Sequence, residues 1–499
     1  MVEILSAFLK TGLGTVLNLL MGILSTKIFA VYLGPDGVGL FSLLRQTRDT
    51  FLSVTTFNGG TALIQGLAQR DETKKKQYGF VVFLIMLVSM SASVLFLLIF
   101  APQIAENVLQ RHDPEAISLI RWLSLTIILG TGVMYFNSIL NGYRAIGRLA
   151  LIQVVISAIT FVLAYPVSRW VNEGYSIAFI GSILFSTGGG ILLAFWLVQR
   201  EGWLPFTRIV RQNFTFGTFR EDSSYFLSFA FTTMITGLAT SGTILVIRSL
   251  ITAQKGLEAA GIFDVAWTLS MMYITIALSS FGTYYLPTFA QSKNNEQRRE
   301  LIDKILRLTL LIIVPIIVGV LLFKPIVIQL LYTDEFLSSL NILRWMLIAD
   351  YFKATSWVFG VTITASADKK TLLTTELLWN GGFLSLSVIS LSIFNSVELI
   401  GIAFGIPYIL YLLYNMFYAH KRFGYVVSKI MMLRWLLGAG IILTVSVLTW
   451  TDTKMNWWAV LIGFIFISLY FSVSLNRSDY TNFVGYVRKK LSLASRKLS

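Results

Sequence analysis

Apolar stretches of about twenty residues recur from one end of this chain to the other, separated by short connections. A helix of that length crosses the hydrocarbon core of a bilayer, because each residue adds about 1.5 Å and the core is about 30 Å thick. The stretch from Tyr78 to Phe100 shows the pattern best, since it holds no charged side chain. Charged residues make up 13 % of the chain, against roughly 25 % in soluble domains. That shortfall excludes a soluble enzyme, a disordered chain and a disulfide scaffold. The pattern predicts an all-α polytopic membrane protein of about fourteen transmembrane helices, with first spans near 8–32 and 38–66 and last spans near 433–449 and 457–475. Met1 to Phe8 lacks a basic start and a small-residue cleavage site, so the first span is expected to be uncleaved.

The chain carries a net charge of +15, from 40 Lys and Arg against 25 Asp and Glu. Its placement explains it without nucleic acid. Connections on one side of the expected membrane hold 25 of the basic residues and those on the other side hold 5. Basic residues favour the cytoplasmic side, so both termini are expected in the cytoplasm of a cell inner (plasma) membrane. Two segments on that side interleave basic and apolar residues. In 199–222, Trp203, Phe206, Phe214, Phe216 and Phe219 alternate with Arg200, Arg208, Arg211 and Arg220; in the tail, Phe483, Val484, Val487 and Leu491 lie beside Arg488, Lys489 and Lys490. Such faces suit interfacial helices against anionic lipid, or solvated loops. Cysteine is absent and the two histidines, His112 and His420, fall in connections, so no metal site or cofactor is expected.

A shift of 222 or 223 positions aligns landmarks of the two halves. Gly39 and Phe41 meet Gly261 and Phe263, Gly60-Thr61 meets Gly282-Thr283, Ala68-Gln69 meets Ala290-Gln291, and Arg121-Trp122 meets Arg344-Trp345. Six spans fit in that offset, an even number, so both copies face the same way. The expected plan is an N-terminal six-helix bundle (1–198), a cytoplasmic linker (199–222) and a parallel C-terminal six-helix bundle (223–418). Two additional helices (419–475) and a basic tail (476–499) follow. Parallel repeats of this kind place a substrate site in a central cavity between the halves; a duplicated scaffold is the other reading.

Ten basic residues fall inside the expected spans. Lys10, Arg121, Arg307, Arg344 and Arg434 are within about a turn of a span end, where long side chains snorkel to the headgroups. Arg45, Arg48 and Asp49 are deeper, at i, i+3 and i+4 on one helical face, roughly 10–17 Å below Val38. Lys27 reaches a comparable depth from span 1. A charge at mid-bilayer costs about 2.5–3.5 kcal/mol even on permissive scales, so these three cations are expected to line a water-filled, anion-binding cavity. Arg248 falls near the repeat-equivalent of Lys27, and Asp264 lies near the outer end of span 8. Asp350 and Lys353 share a face of span 10, either as a neutral structural pair or as part of the site.

The run from Lys27 through Ile-Phe-Ala-Val-Tyr-Leu-Gly-Pro-Asp-Gly-Val-Gly-Leu to Phe41, followed by Arg45-Gln46, resembles the Wzx-type O-antigen and oligosaccharide-lipid flippases. These belong to the multidrug/oligosaccharidyl-lipid/polysaccharide exporter superfamily, and Asn141-Gly142-Tyr143-Arg144 is similar to it too. The resemblance implies two lobes that carry an undecaprenyl-pyrophosphate-linked oligosaccharide, such as an O-antigen repeat, to the outer leaflet by alternating access. It implies a cationic cavity, which agrees with the buried charges, and Lys27, Arg45 and Arg48, with Arg248 and Lys353, are expected to hold the pyrophosphate. Asp49, Asp264 or Asp350 would couple an ion, H+ or Na+, and the polysaccharide polymerase machinery is an implied partner beside membrane lipids. A lipid II flippase shares these needs. A multidrug antiporter would want acidic cavity walls, and a membrane-embedded polymerase or ligase would want a large outer loop with a reactive set, which the connections lack. The expected activity is transport rather than catalysis.

Overall fold

The two longest helices each break at a glycine. In α1 (Val2–Thr55) Gly34 adopts φ 59°, ψ −169°, and in α8 (Phe216–Gln291) Gly256 adopts φ 87°, ψ 174°. Only glycine takes that region without a steric penalty, and Pro35 then opens the second half of α1, where a missing N–H costs nothing. Each long helix is thus a pair of spans. The computed structural model describes residues 2–205, 215–450 and 454–474, with the backbone alone at 2–16, at 19 and at several positions within 276–287. Residues 206–214 of the expected interfacial linker, and the whole basic tail at 476–499, lie outside the described residues.

Between and after these two come α2 (Gly60–Ala68), α3 (Glu72–Ile99), α4 (Ala101–Ile104), α5 (Pro114–Gly142), α6 (Ile146–Asn172) and α7 (Ile177–Arg200). The chain continues with α9 (Asn295–Leu331), α10 (Leu340–Ala365), α11 (Lys369–Ser392), α12 (Leu399–Phe423), α13 (Lys429–Leu448) and α14 (Trp457–Ser474). Among the described residues 11 helices are long and apolar enough to cross a membrane. α10 has the length but is too polar to join them. With α10 included, and with α1 and α8 divided at their breaks, the described residues offer about fourteen segments long enough to cross. Caps follow local chemistry. Asp113 accepts from the N–H of Ala116 ahead of Pro114, and the Arg111 guanidinium beside it holds its carboxyl below the usual carboxylate range.

One expected span needs correction. The stretch 38–66 is not continuous: its helix starts after Gly34, ends at Thr55, and gives way to a turn in which Phe57 and Asn58 have positive φ. Gly59 donates to the carbonyl of Thr56 at 2.9 Å before α2 begins. The run Asn58-Gly59-Gly60 is turn chemistry that interrupts an otherwise apolar pattern.

The repeat is visible in the backbone. Left-handed residues recur in pairs at nearly the same offset: Gly34 with Gly256, Arg144 with Ala367, Gly174 with Asn395, and Gly202 with Gly424. Two of these pairs share no residue type, so the loops repeat in conformation beyond what identity preserves. The repeat-matched glycines Gly39 and Gly261 also face each other. A Cβ on Gly39 would lie 2.2 Å from the carbonyl oxygen of Leu257, and one on Gly261 would lie 2.0 Å from that of Pro35. Backbone meets backbone there, as at close helix crossings in membranes. Gly39→Ala is therefore expected to destabilise the fold by about 1–3 kcal/mol and lower the thermal midpoint of the purified protein. Gly440→Ala, whose Cβ meets nothing within 4 Å, is expected to leave it unchanged.

The described residues cluster into two compact units. The first takes Met1–Ala266, Ile328–Ser339 and Lys369–Ala403; the second takes Trp267–Val327, Leu340–Asp368 and the described part of Phe404–Ser499. Within the second, the buried Lys324 donates to the carbonyl of Thr449 at 2.7 Å. Arg344 donates to that of Trp450 at 2.9 Å and lies 4.0 Å from its ring centroid. Both cations thus meet the negative end of α13, a favourable place for them.

Candidate functional site

The second half of α1 carries the most exposed set of deep charges. Because that helix begins at Pro35 rather than Val38, Arg45 and Arg48 lie roughly 15 and 20 Å along it, deeper than the sequence suggested. Both line a cavity of 710 Å³ inside the first unit, walled by α1, α2, α5, α6 and α7. Pockets that hold small ligands run from about 300 to 1,000 Å³. Among the described residues neither guanidinium makes a hydrogen bond. The nearest carboxylate oxygens are 3.8 Å from Arg45 (Asp264) and 3.9 Å from Arg48 (Asp49), and Nε of Arg48 is buried without a partner. A guanidinium presents five N–H donors in a fixed fork. Two such forks share one cavity, on side chains 44 % and 21 % exposed, with their donors unused by the described protein.

Arg248 is placed differently. It is 1 % exposed, donates to the carbonyl of Ser42 at 3.1 Å, and pairs with Asp264 across the Gly256 break in α8. It is not among the residues that line the cavity. Its geometry is that of a clamp on the hairpin, with Asp264 shared between Arg248 and the more distant Arg45. Together Arg45, Arg48 and Arg248 face Asp49 and Asp264, which leaves one positive charge in excess.

Lys27 is turned away from this group. Its Nζ donates to the carbonyls of Gln329, at 2.7 Å, and Tyr332, at the C-terminal end of α9. Those carbonyls have no partner within their own helix and carry the negative end of its dipole. Lys27 does not line the cavity, so the expected trio reduces there to Arg45 and Arg48.

Asp350 and Lys353 belong to the second unit and form no ion pair within 4.0 Å among the described residues. The fully buried Asp350 accepts from Ser270 at 2.8 Å and Tyr273 at 2.5 Å, while its Oδ1 has no partner. Lys353 lies 2.9 Å from the sulfur of Met271 and over the rings of Phe404 and Tyr408, at 5.5 and 5.8 Å. The i, i+3 spacing that suggests mutual neutralisation sends the two side chains to separate neighbours: two hydroxyls for the acid, a thioether and two aromatic faces for the amine.

Three carboxamides join the cavity wall, of which the sequence marks only Asn141, through its family-like stretch. Asn137, Asn141 and Gln153 line the same cavity as Arg45 and Arg48. The signal was present, because Asn137 and Asn141 are four apart on one helical face, but ionisable residues drew the attention.

The family model described as "Polysaccharide biosynthesis protein" matches residues 14–341. A protein of Escherichia coli (strain K12) named "Lipid III flippase" is 25 % identical over 377 residues, covering 74 % of this chain and 87 % of its own length. Among solved structures, "Lipid II flippase MurJ, inward closed conformation" superposes with a TM-score of 0.70 at 15 % identity, over 96 % of this chain and 100 % of that one. "Inward-facing conformation of a multidrug resistance MATE family transporter of the MOP superfamily" gives 0.68 at 16 % identity, over 82 % and 94 %. At such identities the structural likeness is one of fold.

Proposed function

Since this chain belongs to the polysaccharide biosynthesis protein family, we propose that it is a flippase for a lipid-linked oligosaccharide, moving an undecaprenyl-pyrophosphate-linked repeat of the O-antigen type between leaflets. The observation that carries this reading is the pair of guanidiniums, Arg45 and Arg48, that line a 710 Å³ cavity without a hydrogen bond to the described protein. A pyrophosphate is the natural partner of two such forks, because charge-assisted, bidentate bonds to phosphate oxygens are the strongest a guanidinium makes. The excess positive charge runs against a carrier of organic cations. The curated relative's name points the same way, as a flippase of a lipid.

Translocation requires the glycan and pyrophosphate to cross while the polyprenyl chain stays in hydrocarbon. A cavity within a helical unit supplies the polar route, and alternating access supplies the direction. The 25 to 5 segregation of basic residues supports cytoplasmic termini, with loading from that side. Reconstitution in vesicles with a fluorescent undecaprenyl-pyrophosphate-linked glycan tests the reading by its transfer between leaflets. Equal transfer of lipid II would assign the lipid II class instead, and efflux of cationic drugs without glycan transfer would replace the proposal altogether.

Asp350 is proposed as the coupling group. A fully buried carboxylate with one oxygen unpartnered among the described residues is suited to take a proton or a Na+ ion. Asp350→Asn keeps the shape and the acceptor oxygen for Ser270 and Tyr273 but removes the charge. It is expected to abolish the stimulation of transfer by an imposed ion gradient while leaving glycan binding within about twofold. Gradient stimulation equal to that of the unsubstituted protein would remove Asp350 from coupling.

A further inference from the structure

The cavity that holds Arg45 and Arg48 changes character along its wall. Asn137 and Asn141 on α5 and Gln153 on α6 line it, and among the described residues none of the three side-chain amides makes a hydrogen bond. Oδ1 of Asn137 is covered and without a partner. Most of the hydroxyls around them differ, Ser182 and Thr187 apart. Ser25, Thr26, Ser138, Thr160 and Ser186 each donate to a carbonyl one turn back on their own helix, at 2.7–2.9 Å. Much of the free hydrogen-bonding capacity of this wall therefore resides in carboxamides, each with two donors and an acceptor oxygen.

Their distance from the guanidiniums follows from the register of α1 against α5. Gly130 packs on Leu52, the hydroxyl of Thr131 donates to that of Thr55 at 3.2 Å, and Gly60 comes next to Ser138, so the two run in the same direction. Arg48 is a turn before Leu52 and Asn137 is two turns past Gly130, which separates them by roughly 15 Å along the helix axes. A pyrophosphate held at Arg45 and Arg48 does not reach that far. A group extending from it does.

We propose that Asn137, Asn141 and Gln153 form a glycan subsite, which receives the hydroxyl and acetamido groups of the sugar attached to the pyrophosphate. A carboxamide sets a donor beside an acceptor, and so do a pair of sugar hydroxyls and an acetamido group; the match is neutral and indifferent to the phosphate charge. The subsite rests on the flippase reading, and two probes keep the two apart. One is a short-chain prenyl pyrophosphate; the other is the same molecule bearing N-acetylglucosamine on the pyrophosphate.

The full-length purified protein is expected to bind the sugar-bearing probe about tenfold or more tightly than the bare one. Asn137→Ala, Asn141→Ala and Gln153→Ala combined are expected to erase that preference and leave affinity for the bare probe within about twofold. Gln153→Ala alone is expected to lose part of it. Because the three amides bond nothing in the described protein, the thermal midpoint of these variants should stay put. Equal binding of both probes by the unsubstituted protein overturns the subsite alone, as does a preference that survives the triple substitution, or a triple variant that loses both probes equally. A sugar-bearing probe that fails to bind while the bare one binds overturns the subsite alone; failure of both overturns the subsite and the anion site together.

Discussion

Vesicles carrying the Arg45→Ala, Arg48→Ala double variant are expected to show leaflet transfer of lipid-linked glycan reduced by two orders of magnitude or more. A hydrogen bond to a charged group contributes about 1.5–3 kcal/mol, which corresponds to about 10- to 150-fold per side chain, and both forks serve one ligand. The protein itself should tolerate the change. Neither guanidinium bonds anything in the described chain, and only the 3.8 and 3.9 Å ion contacts are lost. The thermal midpoint of the purified double variant is therefore expected to match that of the unsubstituted protein. Lysine at both positions keeps the charge but not the fork, and intermediate transfer is expected. Full transfer by the double alanine variant would dismiss the anion site; a collapsed midpoint would recast the two arginines as structural.

Arg248 should behave in the opposite way. It is buried against Asp264 and the carbonyl of Ser42, so Arg248→Met strands a carboxylate whose remaining cation among the described residues is Arg45, at 3.8 Å. Breaking a buried pair from one side costs about 3–5 kcal/mol, and a large fall in the thermal midpoint or loss of folded protein is expected. Replacing both members, as Arg248→Met with Asp264→Leu, removes the stranded charge and should recover most of that stability, since apolar pairs of similar volume match or exceed buried ion pairs. Purified yield and thermal midpoint of the single and double variants decide it. A single variant as stable as the unsubstituted protein would rule out the clamp.

The contrast between these arginines explains what was legible in the sequence. Arg45, Arg48 and Asp49 could be assigned to one face because helical spacing is local. The depth of that face depended on where the helix starts, and Gly34-Pro35, the visible break, was the better origin than Val38. Lys27 could not be placed, since its partners are carbonyls more than three hundred positions away and no periodicity reports on them. Asp350 and Lys353 are a related case: shared spacing suggested mutual pairing, but tertiary neighbours, Ser270 and Tyr273 for the acid and Met271 for the amine, outcompeted it. The repeat was legible in Gly, Gln and Arg-Trp identities, and the paired left-handed residues Arg144 and Ala367, or Gly174 and Asn395, extend it to places where no identity remains.

The carboxamides show a different limit. Neutral polar residues in a span carry little penalty compared with ions, so Asn137 and Gln153 read as ordinary span residues and Asn141 as part of the connection that follows, until the cavity brings them together. Their unused donors became apparent only beside hydroxyls that had already found carbonyls.

The most direct test is a structure determined with an undecaprenyl-pyrophosphate-linked glycan bound. The account predicts phosphate oxygens within hydrogen-bond distance of both the Arg45 and Arg48 guanidiniums, inside the cavity walled by α1, α5, α6 and α7. Phosphate density seated elsewhere, with those two side chains contacting lipid tails or closed onto carboxylates, would contradict it.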